Sequence, residues 1–168
     1  MLIDDFSSKD LTSKLGTQWC GVSDQVMGGV SKAVIARSII EKRPSLRLTG
    51  DVLLENNGGF IQVALNLAMA DDVLDASAFS GIRLVVRGND EPYSVHLRTP
   101  DNIRSWQSYR ASITTTPNWE TIDLPFSVFS PYRLDTPMDI RRLRRMGLVA
   151  IGRAFHADLA VAKVSLYI

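Results

Sequence analysis

The chain has 168 residues and a mass of 18.6 kDa, the size of one domain whose core needs no covalent staples. Hydrophobic residues make up 45% and charged residues 22%, which excludes disorder as the main state. Nineteen basic against eighteen acidic residues leave a formal charge of +1, without the cationic excess of a dedicated nucleic-acid binder or a polybasic membrane binder.

The first residues, Met1-Leu2-Ile3-Asp4-Asp5-Phe6, have neither the basic start nor the apolar stretch of a secretory signal. The apolar runs fall far short of the roughly 20 residues a membrane helix needs. With a single cysteine, Cys20, no internal disulfide can form. These features lead us to expect a cytoplasmic protein without membrane insertion. Cys20 sits beside Trp19 and is expected to be inert packing.

In chain order, Ser8–Leu15 has capping-box spacing and a glycine stop at Gly16, predicting a short helix. The string Trp19–Ser31 is too small and polar in its middle for a core strand. Its paired Gly28 and Gly29 suit a loop closely approached by another chain or ligand. Alternation then dominates. Ser45–Glu55, Phe60–Leu67, Gly81–Gly88 and Tyr93–Arg98 each place apolar side chains on one face and polar ones on the other. Further strands are expected within Arg104–Ile113, Trp119–Leu124, Met146–Ile151 and Asp158–Ile168. Asn56-Asn57-Gly58-Gly59 reads as a tight hairpin turn, and Gly88–Pro92 and Thr116–Asn118 as further turns. Asp71–Phe79 is turn-like, and Met138–Arg145 predicts one or two helical turns leading into a strand. Turns at this spacing, without a long helical period, indicate one antiparallel sandwich or barrel over residues 1–168.

Several motifs together resemble the complex I intermediate-associated protein 30 family. They are Trp19 with Ser23-Asp24-Gln25-Val26-Met27-Gly28-Gly29-Val30-Ser31, and then Asn56-Asn57-Gly58-Gly59-Phe60. Val86-Arg87-Gly88 with Tyr93 and Leu97-Arg98 resembles the family's central hairpin. Trp119, Ile122-Asp123-Leu124-Pro125-Phe126 and Phe129 resemble its tryptophan-to-proline-phenylalanine segment. Gly147-Leu148 and the closing Leu159–Ile168 strand fit its end. The resemblance covers nearly the whole chain. It implies an all-β, galactose-binding-domain-like jelly-roll sandwich with one or two short helices. It also implies a relation to non-catalytic assembly factors of the respiratory NADH:ubiquinone oxidoreductase, whose partners would be respiratory-complex subunits.

The residues suggest where a partner would sit. Gln62, Arg87, His96 and Arg98 lie opposite the apolar positions of their strands, and Trp106 and Arg110 share one parity on the next. If those strands are neighbours, one polar face gathers donors and an aromatic able to hold a protein client or, alternatively, a sugar. The loop residues Ser23, Asp24, Met27, Gly28 and Gly29, with Asn57, are expected at its rim. Met27 and Trp106 are candidate anchors, while Trp19, Phe60, Trp119, Phe126 and Phe129 are assigned to packing. The run Arg141, Arg142, Arg144, Arg145 reads as a solvated turn paired with Asp135 and Asp139. No nucleophile elbow, zinc spacing, phosphate loop or calcium loop occurs. The chain therefore reads as a binding protein rather than an enzyme, with no cofactor expected.

Overall fold

A computed structural model covers residues 1–168. Two antiparallel sheets of six strands pack face to face. The first joins β3 (Val34–Ile40), β4 (Arg43–Val52), β12 (Phe155–Tyr167), β6 (Gly81–Arg87) and β9 (Glu120–Pro125) in that order, with β1 (Leu2–Asp4) also paired to β12. The second runs β10 (Ser130–Tyr132), β8 (Ser108–Thr114), β7 (Pro92–Arg98), β11 (Arg145–Ile151), β5 (Phe60–Asn66) and β2 (Cys20–Ser23). This is the expected jelly roll. Its only helical pieces are four 3-10 turns, at Asp24–Met27, Glu55–Asn57, Phe126–Val128 and Ile140–Arg142. No helix is long and apolar enough to cross a membrane.

Alternation decides what enters the core. Leu46, Leu48, Ile82, Leu84, Val86, Leu159 and Val161 face inward from the first sheet. Ile61, Val63, Leu65, Val95, Leu97, Tyr109, Met146 and Leu148 meet them from the second, and all are buried. The thirteen-residue β12 ties the first sheet together. Residues 155–161 pair with β4, while Val164 and Ser165 pair with β1 beyond that strand's end. The register shifts between Val161 and Lys163 on the β6 side, which bends the long strand as an extra residue does. Trp19 Nε1 donates to Asp4 Oδ2 at 2.8 Å inside the core, so the indole is satisfied as well as packed.

Three local expectations are corrected. Ser8–Leu15 forms no helix: Asp10 Oδ1 accepts from Thr12 N and Ser8 Oγ, and Thr12 bridges to Gln18. Such local side-chain bonds compete with the helical ladder. Asn56–Gly59 is no hairpin, because β4 and β5 belong to different sheets; the segment crosses between them, with Asn56 and Asn57 both at φ 57°. Gly88–Pro92 is likewise a crossover from β6 to β7, so the central pair is not a hairpin. In addition, Trp119 is only half-buried, its ring flanked by Arg43 and Arg87 at 5.8 Å, rather than a core residue.

Candidate functional site

The string around the paired glycines is built on Asp24. This residue is fully buried, and its carboxylate accepts four bonds: from Ser31 N and Oγ, from Gly59 N and from Phe60 N. Burial by itself would raise its pKa. The hydrogen bonds from Gly59, Ser31 and Phe60 outweigh burial and hold the carboxyl below the usual carboxylate range. A Cβ on Gly29 would come within 2.5 Å of Asp24 Oδ1, and one on Gly58 within 2.5 Å of Oδ2, so both positions need glycine. Gly28 caps the 3-10 turn at φ 84°, and Asn56 Nδ2 donates to its carbonyl at 3.1 Å. The two strings that carried the family resemblance are thus two halves of one latch. Asp24 and Gly29 are its interior and cannot be reached by a partner, which corrects their place among the rim residues. Ser23 caps the turn through Gln25 N, and Asn57 is exposed. Val26 and Met27, 74% and 58% exposed, form the tip.

The outer face of the second sheet holds most of the expected cluster. Arg98 pairs in register with Arg145 across to β11, and Arg110 with His96 across to β8. His96 is opposite Gly147, which is opposite Ala64, which is opposite Cys20. Small residues therefore floor the sheet between Arg145 and Gln62. A Cβ on Gly147 would meet Gln62 Oε1 at 2.7 Å, so that amide leans over the gap. Cys20 is exposed on this floor with Arg145 Nη2 3.8 Å from its sulfur, contrary to the expected buried thiol. The short edge strand β2 carries it outward.

Each guanidinium on this face is held differently. Arg98 donates to the carbonyls of Asn102, Arg104 and Ser105, clamping the loop between β7 and β8. Arg110 gives only Nε to Ser108 Oγ, and its plane lies 3.6 Å from the centre of the Tyr132 ring. Arg133 stands 5.3 Å from the same ring. Burial, then the charges of Arg145 and Arg144, lower the pKa of Arg98. Burial also lowers that of Arg110, with Tyr132 opposing and Arg133 adding to the effect. Between them, burial and then Arg110 and Arg98 push His96 down to about 3, so it is neutral across the physiological range. Its Nε2 is buried without a hydrogen-bond partner.

Two members of the expected cluster lie elsewhere. Arg87 is on β6 in the first sheet, ion-paired with Glu41 at 3.3 Å. Its period-two parity was right, but parity does not say which sheet a strand joins. Trp106 is not on a strand, since β8 starts at Ser108; it is 53% exposed in the loop clamped by Arg98. Arg145 and Tyr132 also belong to this face, although the sequence does not point to either. In sequence Arg145 belongs to the basic run, which the fold splits: Arg141 pairs with Asp139, and Arg142 with Asp101 rather than Asp135. Tyr132 sits on a three-residue edge strand with no alternation to announce it.

The first sheet's outer face is composed differently. Arg47 binds Asp158 with two bonds of 2.8 and 2.6 Å, and Arg83 binds Asp123 with two of 2.6 and 2.7 Å. His156 meets Asp51 at 2.8 Å. A hollow of about 150 Å³ lies over Arg47, Arg87, Gly88 and Asp158. A larger one, about 530 Å³, opens beside Tyr109, Phe126, Phe129 and Met138. Neither contains His96 or Asp24, and no three His, Cys, Asp or Glu side chains are grouped to hold a metal.

The topology defines a jelly-roll β-sandwich with two unlike outer faces. Solved structures of that kind superpose over almost the whole chain. The family 11 carbohydrate-binding module of cellulosomal cellulase Lic26A-Cel5E of Clostridium thermocellum matches with a TM-score of 0.74 at 16% identity, covering 99% of this chain and 93% of that one. The family 11 module from the same organism in complex with a β-1,3-1,4-mixed-linked tetrasaccharide gives 0.72 at 16%, covering 99% and 94%. The family 30 module of its cellulase Cel9D-Cel44B gives 0.68 at 12%, covering 98% and 97%. No curated protein matches by sequence. The family model for Complex I intermediate-associated protein 30 matches residues 5–161, and the chain belongs to that family.

Proposed function

We propose that this protein is a non-catalytic binding domain that captures a protein client on the outer face of its second sheet. The client would be a component of a complex I assembly intermediate, as the family's name suggests. The observation that carries the reading is the fixed array of Arg98, Arg110, Arg145, His96 and Gln62 on one wall. Arg98 is locked by three carbonyls and Arg110 by Ser108 and Tyr132, so a partner meets groups already in place. Pre-set side chains lose less entropy on binding. Met27 and Trp106, both exposed, extend the surface at the latch tip and the clamped loop. A reducing, cytoplasmic setting suits the exposed lone Cys20.

Photo-crosslinking tests the face. A crosslinking residue at Ser112, exposed on the second sheet, should capture a defined client in native extracts. One at Lys163, on the opposite sheet, should not. Equal capture from both positions, or none from Ser112, rejects the assignment.

A carbohydrate-binding role is the second reading. It is favoured by two exposed aromatics, Trp106 in the β7–β8 loop and Tyr132 on the edge strand β10, on a fold shared with a module solved with a tetrasaccharide. Specific glycan-array binding that is lost in Tyr132→Ala would support it over client capture.

A further inference from the structure

The formal charge of +1 conceals a strong segregation. The six strands of the second sheet contain no Asp, Glu or Lys; their only charged residues are Arg98, Arg110 and Arg145. All three lie on the outer face, and none has a carboxylate within ion-pair distance. The first sheet's strands also carry Asp51, Glu120, Asp123 and Asp158, and there Arg47, Arg83 and Arg87 are each ion-paired, whereas Arg37, Arg43 and Lys163 are not. The contrast argues against a merely solvated face, where opposite charges would intersperse.

We propose that this face selects acidic peptide segments of its client, with Arg110 and Arg145 as the anchoring forks. This rests on the reading of the same face as the client site. Arg98 has its terminal nitrogens engaged by backbone carbonyls, so it adds field rather than a free fork. Arg110 keeps both terminal nitrogens free, and Arg145 touches only the weak acceptor of Cys20. A guanidinium fork matches a carboxylate in two parallel bonds. Arg110 and Arg145 stand two strands and one pleat apart, about 12 Å between backbone positions. Two carboxylates four residues apart in an extended segment share one face and span about that distance. The aromatic on this face is less suited to a sugar ring, because Arg110 already covers one side of Tyr132. Arg98 and Arg145 are direct cross-strand neighbours of like charge, and an incoming carboxylate relieves their repulsion.

Calorimetry with oligoglutamate, oligoglutamine and oligogalacturonate, together with amide-shift mapping, tests this. Oligoglutamate should bind and shift amides of β7, β8 and β11, while oligoglutamine should not bind. Raising ionic strength from about 0.05 to about 0.3 M should weaken binding several-fold. Arg110→Gln and Arg145→Gln should each weaken it by about tenfold, with amide spectra confirming the fold. Arg83→Gln on the opposite sheet should leave it unchanged. No binding of oligoglutamate, equal binding of oligoglutamine, shifts on the first sheet, or full affinity in both arginine variants overturns the proposal. Preference for oligogalacturonate assigns the face to an acidic glycan and also overturns it. If Ser112 still captures a client when Arg110 and Arg145 are both Gln, the face reading stands and the acidic specificity fails. If Ser112 captures nothing in the parent, the face reading itself fails.

Discussion

Asp24 shows how one side chain can make a sequence motif recognisable. Its four hydrogen bonds join residues 24–31 to residues 59–60, and its bulk explains Gly29 and Gly58. Asp24→Ala leaves three backbone N–H groups unanswered in the interior, while the Ser31 hydroxyl keeps the Leu53 carbonyl as acceptor, a loss of about 3–5 kcal/mol measurable by urea unfolding. Asp24→Asn should cost less, since its amide oxygen still accepts. The folded-state pKa of Asp24 is depressed, so its contribution is complete above the unfolded carboxyl pKa and disappears as pH falls through the folded one. His96 has a different window. Its folded pKa of about 3 lies below the unfolded value of about 6.5, so only the unfolded chain takes up the proton between them. Stability should therefore fall by about 1.4 kcal/mol per pH unit below about 6.5. His96→Gln should remove that slope in urea midpoints measured near neutrality and at about pH 5. An unchanged slope would mean that His96 is protonated in the folded state.

At the level of elements, the tolerance of a glycine depends on what lies above it. On β4, a Cβ at Gly50 would sit 2.0 Å from the Lys32 carbonyl oxygen, where the crossing chain leading to β3 packs against the sheet. Backbone cannot yield cheaply there, and Gly50→Ala should cost about 3 kcal/mol or more in chemical denaturation. On β11, the same change at Gly147 meets only the end of the Gln62 side chain. Gly147→Ala should cost about 1 kcal/mol or less while displacing Gln62 and perturbing the proposed client face. Comparable losses in the two variants would contradict this account of the sheet surfaces. The edge elements explain what alternation concealed. β2 and β10 have four and three residues, too short for a period to show, yet they bring Cys20 and Tyr132 to the candidate face.

On the scale of the whole molecule, both sheets contribute to one buried cluster of 32 residues. Unfolding should therefore be a single transition, coincident by far-ultraviolet circular dichroism and tryptophan fluorescence. Trp19 reports from the core, Trp106 from the β7–β8 loop and Trp119 from the first sheet, so separate unfolding of any part would split the signals. The sequence by itself determined the all-β class, the inward and outward parity of the central strands, and the two glycine-bearing strings that mark the family. Those are local properties: period two fixes the face of a strand, and glycine marks crowded or left-handed backbone. Only the tertiary structure decided which strands share a sheet. It moved Arg87 to the paired first sheet, joined Arg145 and Tyr132 to His96 and Arg110, and turned Asp24 inward. Strand neighbours in a jelly roll are set by crossovers between residues distant in sequence, and no local period encodes that pairing. The segregation of charge between the two outer faces has the same origin, because a nearly neutral chain becomes two unlike surfaces only once its strands are sorted into sheets.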